Sequence, residues 1–165
     1  MSALQDLVRP RYIDAIRKAN ELAKPFSTPP IPVHEIAESN GVDVVFVRFG
    51  DAADKVAGFC DFRTGKLYVN AEDPLNRQTF TIAHELGHWM LHRDLFHGDP
   101  AKYTVLPRFQ KPSRTDPFEQ EANVFAANLL VPSHLLRSVR HAPVAQLASI
   151  FGVSRQMMEN RLKHA

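Results

Sequence analysis

Residues 73 to 92 constrain this chain most, because one helical period runs through them and sets His84 and His88 four residues apart. Asp73 can cap the first orphan amides and Pro74 suits the first helical position, so a helix is expected to open here. Leu75, Thr79, Ile82, Ala83, Leu86 and Met90 keep the spacing as far as about His92. Side chains four apart lie on one face a turn apart, so the two imidazoles can converge on one ion. The stretch His84-Glu85-Leu86-Gly87-His88 is an HExxH motif. Neutral imidazole suits Zn²⁺, and Glu85 is placed to take a proton from water that zinc activates for attack on a carbonyl. Eight His and eight Glu among 165 residues give about 0.02 such matches by chance. Gly87 leaves backbone room beside the second histidine.

Composition bounds the alternatives. One cysteine, Cys60, excludes an intramolecular disulfide and any Cys-rich zinc ribbon. No apolar run approaches the ~20 residues of a membrane helix, and the opening MSALQDLVRPRY does not read as a signal peptide. A cytoplasmic globular chain of one domain is expected, with no membrane contact. Its parts are an N-terminal helix and Pro-rich linker (1–30), a catalytic core (31–132) and basic C-terminal helices (133–165). The net charge of +2 is too small to imply nucleic-acid binding by the whole chain.

Helical spacing also marks Tyr12 to Ala23 and residues 33–40, with Gly41 as the stop of the latter. Residues 42–49, 55–62 and 66–70 read as strands, the last two joined by a hairpin turn at Arg63-Thr64-Gly65. The fold class is therefore α+β: a small antiparallel sheet of about three strands, packed with the HExxH helix and several further helices. Residues 93–117 lose all periodicity and contain four prolines, which predicts a long loop over the site. Tyr103 and Arg108 within it are candidate oxyanion donors.

A catalytic zinc takes three protein ligands and keeps one position open. His92 lies a further turn along the helix, out of reach of an ion between His84 and His88, and both His92 and His97 read as helix-end and loop residues. The better source is the helix predicted over residues 117–130, FEQEANVFAANLL. At about 100° per residue, Glu119 lies roughly 55° from the centre of that helix's apolar stripe, and Glu121 roughly 105° away, on the solvent side. A carboxylate at a buried margin is costly unless a metal pairs with it, so Glu119 is the expected third ligand. Replacing Glu121 is expected to leave the metal undisturbed. Asn123, one turn beyond Glu119, can support a histidine from behind.

The segments TFTIAHELGHWMLH, EQEANVFAANLLVP and PVHEIAESNGVDVVF, in their order along residues 10–162, resemble the ImmA/IrrE family of zinc metallopeptidases. The resemblance implies a minimal gluzincin-like fold, zinc held by His84, His88 and Glu119, and Glu85 as catalytic base. Asn123 stands where related zinc peptidases often carry Asp. Members of the family often accompany DNA-binding repressors of phages, mobile elements or toxin–antitoxin-like loci, and relieve repression by cleaving them. A separate repressor is thus the implied protein substrate. Two other functions compete. One is a non-proteolytic metal-binding regulatory or toxin module. The other is DNA binding through residues 144–165, which imitate a helix-turn-helix and lie in a tail with five Lys/Arg against one acid. The same helices have enough apolar surface to close the core, so direct nucleic-acid binding is not expected.

Overall fold

A computed structural model describes residues 11–97, 105–109 and 116–165. Helix α1 spans Tyr12–Ala23 and α2 spans Val33–Ser39. Strands β1 (Asp43–Val47), β2 (Val56–Asp61) and β3 (Lys66–Asn70) follow. The long helix α3 (Leu75–His97) leads to β4 (Val105–Phe109). Four helices complete the order: α4 (Pro117–Leu130), α5 (Ser133–Leu136), α6 (Val144–Phe151) and α7 (Arg155–Lys163).

The α+β class stands, but the sheet is larger and mixed. Its strand order is β1-β3-β2-β4, with β1 parallel to β3 and the other pairs antiparallel. Hairpin β2–β3 forms as its turn residues predict. The Asp61 carboxylate accepts from the amides of Arg63 (3.0 Å) and Thr64 (3.3 Å), and Gly65 adopts φ +69°. Strand β1 does not join that hairpin as a meander. Residues 48–55 are long enough to step over one strand position, about 10 Å across the sheet, and so place β1 beyond β3.

The structureless stretch expected over residues 93–117 is also corrected. Helix α3 continues to His97, and Val105–Phe109 forms a strand. Pro107 hid that strand, since proline lacks the amide a central strand needs. At the sheet edge, opposite Phe59, that lack is tolerated.

Helix α3 packs on β2 and β3 with one side and on α4 with another, while α4 packs also against α1. Helix α1 presents Ala15, Ala19 and Ala23, all fully buried, which lets the two backbones come close. Gly87 does the same between α3 and α4. A Cβ there would lie 2.9 Å from Cδ1 of Phe125 and 3.3 Å from Cα of Ala122. Glycine inside a helix costs about 1 kcal/mol relative to alanine, so its presence here answers to packing. Gly87→Val is therefore expected to lower stability by about 1–3 kcal/mol. A denaturant midpoint equal to that of wild type would show that α3 and α4 do not meet there.

The C-terminal helices close the core. Leu147, Phe151 and Met158 are buried, and the Ser154 hydroxyl caps α7 by accepting from the Met157 amide at 3.1 Å. Arg161, one of the basic residues of the tail, is itself buried. Its guanidinium donates to the Val131 carbonyl (2.9 Å) and the Ser133 hydroxyl (3.0 Å). No helix among the described residues is long and apolar enough to cross a membrane.

Candidate metal centre

His84, Glu85 and His88 lie mid-helix in α3, and none of the three is exposed at all. The third group arrives from α4, whose start is fixed by Asp116 and Pro117. The Asp116 carboxylate accepts from the amides of Phe118 (2.8 Å) and Glu119 (3.4 Å), and this cap sets Glu119 in the first turn. Close packing of α4 on α3 then delivers the Glu119 carboxylate to both imidazoles. Nε2 of His84 lies 2.9 Å from one carboxylate oxygen, and Nε2 of His88 lies 2.9 Å from the other. Ligand atoms of His84, His88 and Glu119 all fall within 4.8 Å of one another. Two imidazole nitrogens and a carboxylate oxygen, converging from two helices in a buried setting, are positioned to bind a metal ion.

The electrostatics agree with that donor set. Burial pulls the pKa of His88 below the usual imidazole value, against the opposing effect of its contact with Glu119. Burial would raise Glu119, but the contacts with His84 and His88 outweigh it and hold the carboxyl well below its ordinary range. Neutral imidazole and ionised carboxylate are the forms that ligate. Glu85 stands close to the sheet. Burial pushes the Cys60 thiol on β2 well up, and the charge of Glu85 adds to that shift.

Two residues set aside in the sequence are part of this centre. His92 is not a helix-end residue, because α3 runs on beyond it, and it is fully buried. Its Nδ1 lies 2.8 Å from Nδ1 of His88. Glu121 is not on a solvent face, being only 1% exposed. One of its oxygens lies 3.4 Å from Nε2 of His92 and 3.6 Å from Nε of Arg11. A single apolar stripe misjudged Glu121 because α4 is covered on two sides, by α3 and by α1. The spacing His84, His88, His92 was the available signal, since it carries three imidazoles along one face.

The other expected residues stand apart. Asn123 is half-buried, and no hydrogen bond joins it to His84 or His88 among the described residues. Behind His88 the ring partner is His92. Tyr103 lies outside the described residues. The backbone of Arg108 belongs to edge strand β4, in register with Gly58. His97 is the last residue of α3.

Residues 37–163 match the family model described as the IrrE N-terminal-like domain, a peptidase family. Curated proteins yield no match. Among solved structures, the chain is similar to one described as a Mycobacterium tuberculosis transcriptional regulator, at 21% identity and a TM-score of 0.59. That likeness covers 91% of this chain and 45% of the regulator, so the chain spans less than half of that protein's length. It is a likeness of fold.

Proposed function

The chain belongs to the IrrE N-terminal-like domain family of peptidases, and from that premise we propose a zinc-dependent endopeptidase that cleaves a protein substrate in the cytoplasm. One observation carries the reading: His84, His88 and Glu119 converge within 4.8 Å, with Glu85 buried on the same helix between the two histidines. When bound, zinc supplies a Lewis acid that polarises a carbonyl and activates water. His84, His88 and Glu119 would hold it, and burial favours the neutral form of His88 that binding requires. Glu85 is the base. Its carboxylate takes the proton of the attacking water and returns it to the departing amine as the peptide bond breaks. Arg108 and Tyr103 are candidate donors to the developing oxyanion.

The substrate we assign is a separate DNA-binding repressor. Family resemblance is the support for it, and the structural neighbour is itself described as a transcriptional regulator. Direct DNA binding is disfavoured, because Arg161 is occupied inside the fold and not offered to phosphates. The test is metal analysis of the purified chain, followed by co-incubation with the repressor encoded beside it. About one zinc per chain and a discrete cleavage product are expected. A chain that binds zinc and leaves the repressor whole would favour a non-proteolytic metal module, and a chain without metal would overturn the reading.

A further inference from the structure

Four buried groups form a continuous row: Glu119, His88, His92 and Glu121. Three contacts link them: Glu119 to Nε2 of His88 (2.9 Å), Nδ1 of His88 to Nδ1 of His92 (2.8 Å), and Nε2 of His92 to Glu121 (3.4 Å). Each contact needs one proton, because two lone pairs facing each other repel. A neutral imidazole carries one ring N–H, so two neutral rings supply two protons for three contacts. A metal ion at Nε2 of His88 removes one requirement, since that nitrogen must then present a lone pair. The remaining two protons fall into a unique order. Nδ1–H of His88 donates to Nδ1 of His92, and Nε2–H of His92 donates to Glu121.

We propose that His92 and Glu121 are a positioning pair for the metal ligand His88, fixing its tautomer and its ring plane. The inference rests on the metal reading above. His92 cannot turn away from this task easily. It is fully buried, and its ring meets that of Phe118 edge-on, with centroids 4.8 Å apart. Arg11 lies 3.6 Å from the same Glu121 oxygen and adds a positive charge that favours the ionised form. Outer partners of this kind orient ligating histidines and raise their basicity.

Zinc affinity, read by competition with a chromogenic chelator, tests the pair. His92→Leu keeps the volume and removes the acceptor, and is expected to weaken zinc binding about 10–100-fold. His92→Asn places an amide oxygen where Nδ1 stood and should restore most of that loss. Melting of the metal-free variants is measured alongside, so that loss of fold is told from loss of ligand orientation. On the wild-type, zinc-loaded chain, ¹H–¹⁵N correlation of the imidazoles should find His88 protonated at Nδ1 and His92 at Nε2. Wild-type affinity in His92→Leu, an Asn variant no better than Leu, or His92 protonated at Nδ1 would each overturn the proposal while the metal site stands. A wild-type chain that takes up no zinc would overturn both.

Discussion

Glu85→Gln should keep its zinc and lose cleavage of the repressor by at least about 10²–10⁴-fold, the range that a positioned general base contributes. The two side chains are nearly the same size, and position 85 is fully buried, so packing changes little. An amide cannot take up the proton of an attacking water. It also carries no charge, so the Cys60 thiol across the α3–β2 contact loses one of the influences that raise it. The proposed metal ligands His84 and His88 flank position 85 but do not include it, and zinc content should therefore remain at the wild-type level. The measurement pairs metal analysis with the rate of product appearance. Cleavage retained by the variant would remove Glu85 from the mechanism, and zinc lost from it would make Glu85 a ligand.

Loss of the metal is the second large effect. His84→Ala, His88→Ala and Glu119→Ala each leave two of three ligands, and each should reduce zinc from about one per chain to almost none. Stability reports the same event. A ligand that binds only the folded chain adds about 2.7 kcal/mol when its free concentration is about 100 times its dissociation constant. Wild type should therefore melt higher with zinc than after chelation, and the three variants should melt alike under both conditions. Glu119→Ala is the most informative, because both ring nitrogens now facing its carboxylate at 2.9 Å would face an empty space. A zinc-dependent melting shift in that variant would mean that another carboxylate supplies the third ligand. Glu121 is the one to examine, being buried one residue beyond Gln120 on the same helix.

Much of the centre was legible beforehand because it depends on local geometry. Helical spacing alone puts His84 and His88 on one face, and the Asp116-Pro117 start alone puts Glu119 in a first turn. Hairpin β2–β3 was legible for the same reason, since Asp61 and Gly65 build its turn within five residues. Strand β4 was not. Its proline argues against a strand everywhere except at an edge, and an edge exists only once the sheet does.

Glu121 and His92 mark the division most sharply. A helical wheel assumes one buried face, so it sends Glu121 to solvent, and it stops α3 near His92 where the apolar spacing ends. The sequence by itself determined the two imidazoles, the carboxylate between them and the family to which they point, because these follow from residue type and the period of one helix. Only the tertiary structure decided the strand order, the burial of α4 on both sides and the row from Glu119 to Glu121. Those depend on which elements pack together across the chain, and Gly87 and the alanines of α1 permit that close packing without announcing its partners.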